Sequence, residues 1–357
     1  MKNIDSNQET QDLRTPKEKH SINHFKTAEG KRSFMTRLWS TIVMLILLVL
    51  YISAGAVYTY KQDLPLIEIA AYASYLGTFF IIIFATIEMN KATGFKKWWQ
   101  HLIINCLVLL AFLYPITTNL YQFHFYLHFG RTLNTIAQPW IFVLIVILIS
   151  FVFICLGILD KNIGLQKALI NYLMMLVLVI GFKGFTITSL SLFGSPPYET
   201  RLSFNTIVWI WLMIIFGDTF AYIGGMAWGK TKLAPKISPK KTWEGAAFGL
   251  SIAFVGGLAY ALTFYFAASS FAPFTKPIND WASKSGDVYP ILIYVLFSLL
   301  FPIIGMFGDL LYSWVKRTCQ IKDFSKIIPG HGGVLDRLDS IIFSWAILFL
   351  IVAILIW

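Results

Sequence analysis

Long apolar runs alternate with short polar connections along the whole chain. Nine runs reach about 20 residues, the length of helix that crosses a hydrocarbon core of about 30 Å. They are Trp39–Tyr60, Leu66–Ile87, His101–Leu120, Pro139–Leu159, Ala168–Phe193, Phe204–Trp228, Ala246–Phe266, Pro290–Trp314 and Leu338–Trp357. None alternates polar and apolar positions as barrel strands do. The pattern predicts an all-α, polytopic integral membrane protein with about nine transmembrane helices. Residues 1–33 are polar, charged and poor in apolar groups, and are expected to form a disordered cytoplasmic arm. A secretory leader would carry its apolar core nearer the start, so Trp39–Tyr60 reads as an anchor that stays. Residues 34–203 form a first set of transmembrane helices with few polar groups, and residues 204–357 a second set that is rich in them.

Composition narrows the class. The 357 residues are 57% hydrophobic and only 13% charged, where a soluble domain carries about 25% charged residues. The net charge of +11 is not a nucleic-acid footprint. With a cytoplasmic N-terminus and alternating spans, roughly 23 Lys and Arg fall on the cytoplasmic side and roughly 5 outside, the positive-inside bias. Lys183 lies within a span, where it snorkels or pairs. Glu68, Glu88 and His101 are expected at the interface. His124 and His128 have the i, i+4 spacing of a metal pair, but their aromatic surroundings and the lack of a third ligand favour an interfacial belt. Cys106, Cys155 and Cys319 have neither metal-ligand spacing nor a pairing framework.

Chemistry concentrates after Phe204, in four blocks. Asp218 sits in the apolar run WLMIIFGDTFAYIGG, where a carboxylate costs roughly 2.5–3.5 kcal/mol on insertion scales. A cation, a metal or a wet cavity would compensate it; a helix-packing hydrogen bond is the plainer alternative. The loop 230–245 carries Lys230, Lys232, Lys236, Lys240 and Lys241. Ser238 followed by Pro239 reads as a helix N-cap with proline in the first turn, and Thr242 is the other candidate cap. Free amides at a helix start beside lysines suit a phosphate, whereas a loop that only sets topology needs the lysines alone. Asp309, Ser313, Lys316 and Arg317 recur at helical spacing along one face. Finally, Pro329, Gly330, Gly332 and Gly333 make a tight turn ahead of Asp336, Arg337 and Asp339. Carboxylates at a helix start suit its dipole, and hard cations such as Mg²⁺ take oxygen ligands alongside phosphate. His331 donates to a phosphate, acts as a base or caps the turn. Acids and cations from separate spans thus meet at one leaflet, an arrangement that suits a polyphosphate with a divalent metal.

Ser313, Lys316, Arg317, Lys322, Asp323, Ser325, Pro329, His331, Gly332, Gly333, Asp336, Arg337 and Asp339 stand in a spacing that resembles the signature of the phosphatidate cytidylyltransferases, or CDP-diacylglycerol synthases. Gly308–Leu310 also matches, as does the block with Asp218, Tyr222, Gly225, Gly229, Pro235 and Ser238–Gly245. The resemblance covers roughly the last 150 residues apart from the loop near 268–289; the first half resembles the family only in being a set of spans. It implies transfer of the cytidylyl group of CTP to phosphatidic acid, releasing pyrophosphate, with Mg²⁺ and K⁺ as a candidate second ion. It implies Asp309 and Asp336 as metal carboxylates, and Lys316, Arg317, Lys322, Asp323 and His331 beside them in catalysis. Asp218, Ser238, Lys240, Lys241, Thr242, Ser313, Gly332, Gly333, Arg337 and Asp339 would bind substrate. The expected partners are CTP, phosphatidic acid, the lipid bilayer and a second copy in a homodimer, with no nucleic acid. The expected setting is a bacterial plasma membrane with a cytoplasmic active site. Two rivals stand: a CTP-dependent enzyme acting on another lipid phosphate, and a membrane transporter. Transporters carry mid-membrane carboxylates, but here the acids cluster with Gly, Lys and His at one face, and no repeat is visible.

Overall fold

The computed structural model describes residues 28–60, 67–116, 138–190, 202–274 and 283–356, apart from 285 and 287. Among the described residues nine long helices follow one another: α1 (Ala28–Tyr60), α2 (Ile67–Thr93), α3 (Trp98–Leu113), α4 (Pro139–Leu159), α5 (Gly164–Leu190), α6 (Phe204–Trp228), α7 (Trp243–Ala267), α8 (Tyr289–Thr318) and α9 (Leu335–Ile356). Among the described residues, eight are long and apolar enough to cross a membrane; α3 is the exception. A short antiparallel hairpin, β1 (Lys232–Ala234) with β2 (Ser238–Thr242), joins α6 to α7, with Lys232 opposite Thr242 and Ala234 opposite Ser238. Residues 28–33, expected to belong to the arm, are already helix. Residues 1–27, the Glu68 side chain and the pair His124 and His128 lie outside the described residues.

The third apolar run is shorter as a helix than its composition predicts. At 16 residues and a rise of 1.5 Å per residue, α3 is about 24 Å long. Pro115 explains the stop, because the residue before a proline is driven out of the helical region, and Tyr114 is extended at φ −69°, ψ 120°. The last carbonyls of such a helix have no partners of their own. Lys183, fully buried in α5, supplies them: its Nζ donates to the carbonyls of Phe112 at 2.9 Å and Tyr114 at 2.6 Å. Lys183 therefore pairs with the helix end rather than snorkels.

Burial orders the helices. In α5, 78% of the apolar window is buried, against 6% in α1, so α5 is the central post and α1 a peripheral helix turned to lipid. The helix α9 packs along α5 and α8, while α6 and α7 form the most extensive helix pair. Small residues allow backbones to approach in membranes. A Cβ on Gly249 of α7 would stand 2.6 Å from the Ala221 nitrogen of α6, so that seam admits only glycine. Trp209 of α6 fixes it by donating its indole N–H to the Gly257 carbonyl at 2.7 Å. All three cysteines are free.

Candidate active site

A cavity of about 430 Å³ lies against the seam between α6 and α7, lined also by the hairpin and by α8 at Pro302, Gly305 and Met306. Its lining combines polar and charged residues, Asp218, Lys232, Lys240, Lys241 and Thr242, with apolar ones such as Ile214, Leu250 and Met306. Pro302, within α8, cannot donate a backbone hydrogen bond.

The hairpin brings the lysines to the cavity. Glu244, in the first turn of α7, accepts from the backbone amides of Lys230 at 3.0 Å and Thr231 at 3.2 Å, and from the Thr231 hydroxyl. That clasp folds 230–242 back on itself. Ser238 therefore lies in a strand and caps nothing, correcting the first of the two capping alternatives. Thr242 is the cap of α7: its hydroxyl accepts from the Gly245 amide at 3.2 Å. Lys241 then reaches across to form an ion pair with Asp309 of α8. Arg317 holds the hairpin from below, donating Nε to the Ile237 carbonyl at 3.2 Å and Nη1 to that of Ile321 at 3.3 Å.

The expected face of α8 is realised in part. Ser313 donates to Asp309 at 3.2 Å, whereas Lys316 turns to Asp336 at 2.9 Å and lies 5.4 Å from the Phe324 ring centroid. Asp339 is influenced by the charges of Asp309, Lys316 and Asp218, and Asp218 by those of Lys241 and Asp309. Asp218, Asp309 and Asp339, from α6, α8 and α9, thus form one electrostatic cluster with Lys241 and Lys316. Asp336 is placed differently. Its Oδ1 accepts from Lys316, and its Oδ2 from the amides of Phe324 at 2.8 Å and Gly333 at 2.9 Å. It braces the loop between α8 and α9.

That loop carries the remaining residues. Gly330 and Gly332 have φ of +76° and +90°, in the region that favours glycine. His331 meets Ser40 and Thr41 of α1, with Nδ1 2.9 Å from one hydroxyl and Nε2 3.2 Å from the other. Ser40 donates to the Pro329 carbonyl at 2.9 Å. Arg337 donates Nε and Nη2 to the His331 carbonyl at 3.0 and 2.6 Å. Of the expected site residues, Asp218, Lys240, Lys241 and Thr242 line the cavity; Ser238, Asp309, Ser313, Lys316, Arg317, Asp336, Asp339 and the residues of the loop between α8 and α9 stand outside its lining, with Lys322 and Asp323 exposed.

Glu88, expected at the interface, is buried at 1% exposure. Its Oε1 accepts from the Ser325 hydroxyl at 2.6 Å and the Val334 amide at 2.9 Å, and its Oε2 from the Leu335 amide at 2.8 Å.

Residues 31–355 match the sequence model of the Cytidylyltransferase family. A protein named phosphatidate cytidylyltransferase from Brucella abortus biovar 1 is 38% identical over 174 residues, 48% of this chain and 55% of that one. The match thus spans about half the length of that relative. The proteins of the same name from Rickettsia typhi and Rickettsia prowazekii are 34% and 33% identical, over 61% and 62% of this chain and 85% and 90% of theirs. The match of the family model reaches well upstream of the signature, and this membrane-spanning chain belongs to the cytidylyltransferase family.

Proposed function

We propose that the chain transfers the cytidylyl group of CTP to phosphatidic acid, giving CDP-diacylglycerol and pyrophosphate. The observation that carries this reading is the cavity between spans, lined by Lys232, Lys240, Lys241 and Asp218 together with apolar side chains. Such a lining suits a substrate with a phosphate head and acyl tails. The names of the Brucella and Rickettsia relatives support the same reaction.

The phosphatidate oxygen is already anionic and needs no strong base. It attacks the α-phosphorus of CTP; the bond from that phosphorus to the bridging oxygen breaks, and pyrophosphate leaves with the electron pair. Positioning and charge neutralisation supply the acceleration. Lys240 and Lys241 are placed to neutralise phosphate oxygens. Asp309 sets Lys241 through their ion pair, and Ser313 steadies the other Asp309 oxygen.

A divalent cation fits this donor set. The described residues hold no group of three or more His, Cys, Asp or Glu arranged for a metal, but Mg²⁺ bound with phosphates takes only one or two protein carboxylates and keeps water. Asp309 would hold it, with Asp339 and Asp218 as the neighbouring acids. The three donors around Asp336 suit it to bracing instead. A divalent cation held there would supply charge neutralisation for the phosphate oxygens. The candidate second ion, K⁺, is assigned no residue.

The lysine-bearing hairpin and the loop between α8 and α9 belong to the end we assign to the cytoplasm by the positive-inside rule. The bacterial sources of the named relatives suit a plasma membrane. The test is purified protein in lipid with labelled CTP, phosphatidic acid and Mg²⁺. Pyrophosphate and labelled CDP-diacylglycerol are expected in equal amounts. Label appearing only on a different lipid phosphate would replace the acceptor, and nucleotide-free transport with no lipid labelling would defeat the proposal.

A further inference from the structure

The loop between α8 and α9 has to hold a fixed shape, and much of what fixes it comes from outside the second half of the chain. Glu88 grips both ends of the segment that carries Pro329–Gly333: Ser325 on one side, Val334 and Leu335 on the other. A buried carboxylate is costly unless it is hydrogen-bonded. This one accepts three bonds, two of them from amides at the start of α9, where the helix dipole favours negative charge. The loop backbone is pressed against it, since a Cβ on Gly333 would stand 2.7 Å from both carboxylate oxygens. Asp336 makes the matching connection from inside the loop, through Phe324, Gly333 and Lys316. The two carboxylates therefore pin one stretch of chain from opposite sides.

We propose that Glu88 is a positioning residue for catalysis. It fixes the segment 325–335 and the first turn of α9, and through them the placement of Asp339, Arg337 and the Lys316–Asp336 pair. Glu88 touches no substrate in this scheme. Its action is to keep the acid cluster and the cavity lysines in one register, so that α2 is a working part of the site rather than a passive span. What the loop acts on rests on the cytidylyl-transfer reading above; that Glu88 holds the loop does not.

The test uses the full-length protein in lipid nanodiscs, as wild type, Glu88→Gln and Ser325→Ala. Glutamine keeps the shape but has one acceptor oxygen and turns an NH₂ group toward a donor. Glu88→Gln is expected to lower kcat about 100-fold, the scale of a misplacement of about 1 Å, with the KM for CTP nearly unchanged. Hydrogen exchange should speed at least tenfold at residues 333–335, a size that reports loss of local hydrogen bonding, and stay unchanged in the hairpin 230–242. Ser325→Ala, which removes one bond of the three, should shift both readouts the same way by less. Unchanged exchange at 333–335, normal kcat despite faster exchange, or an equal rise in the hairpin would each overturn the proposal. If Glu88→Gln does not fold, Ser325→Ala decides: full activity with wild-type exchange overturns it. Wild-type protein that makes no CDP-diacylglycerol would defeat the functional reading, while the exchange data would still decide whether Glu88 holds the loop.

Discussion

The helices before Phe204 and those after it both contain buried polar groups, but they use them differently. In the first half the polar groups mostly satisfy one another or the backbone: Asn171 donates to Asn90 at 2.8 Å, Tyr51 meets Thr78, and Lys183 closes the end of α3. In the second half Asp218, Lys240, Lys241 and Thr242 line a cavity. Burial alone does not separate the two, because Lys183 at the end of α3 and Thr242 in the cavity wall are both buried. What separates them is whether the neighbours of a polar group come from a helix end or from a cavity wall. The difference predicts that substitutions in the first half act on folding and those in the second on turnover, with Glu88 the exception that crosses over.

The largest expected effect falls at Asp309. Asp309→Asn removes the charge that sets Lys241 and the carboxylate to which we assign the cation. Turnover should fall by about 10²–10³-fold, the scale of losing one transition-state contact, in protein with a wild-type melting curve. Near-normal turnover would take Asp309 out of the chemistry and blur the contrast between the halves.

Lys183→Met tests the other side of the contrast. It keeps the length and apolar stem but leaves the Phe112 and Tyr114 carbonyls without the donor. Leaving a buried acceptor unsatisfied costs about 1–3 kcal/mol. A lower Tm and reduced yield are expected, with wild-type kcat in the folded fraction. A variant that kept its Tm and lost kcat would place Lys183 in the site.

These outcomes bear on what was legible in the sequence. The apolar runs identified the helices because a span must satisfy its own backbone groups, and that logic needs no tertiary contact. At the third run it placed the helix but not its end, where the local effect of Pro115 outweighed the hydropathy. Ser238 and Pro239 looked like a helix start because the same residue pair serves in a turn-rich strand; what chose the strand was Glu244, clasping residues 13 and 14 positions away. The spacing of Asp309 and Ser313 was readable from helical periodicity. The two roles of Asp336 and Asp339 were not, since i, i+3 places them on one face without saying that one meets backbone amides and the other an acid cluster. Glu88 was least legible, with partners 237, 246 and 247 residues away.

A middling effect is expected at Arg317, which links the hairpin to the end of α8 without lining the cavity. Arg317→Ala removes a charge-assisted bond to the Ile237 carbonyl and should let the lysine hairpin drift. Such a bond is worth about 1.5–3 kcal/mol, so the KM for CTP should rise roughly 10-fold or more with kcat largely kept. A fall in kcat at constant KM would instead give Arg317 a part in the transition state.

The smallest effect is expected in the first half, at the turn between α4 and α5. Lys97 lies 3.1 Å from Asp160, with the lysine 56% exposed and the acid 13%. The Lys97 ammonium, with help from the Asn162 amide and the Gln100 side chain, holds the Asp160 carboxyl below its ordinary pKa of 3.8. A carboxyl whose pKa is depressed on folding stabilises the fold fully above the ordinary value and loses that contribution as the pH falls through the folded one. Solvent on the lysine screens the pair, so the contribution is slight. Asp160→Asn should therefore lower Tm a little at pH 7, less in high salt, with no change in kcat, and the gap to wild type should close as the pH drops below 3.8. A gap that persisted in acid would assign the loss to the Gln100 and Asn162 hydrogen bonds. A change in kcat would show that this turn, like Glu88, reaches the site, and the division between a folding half and a chemical half would then have to be redrawn.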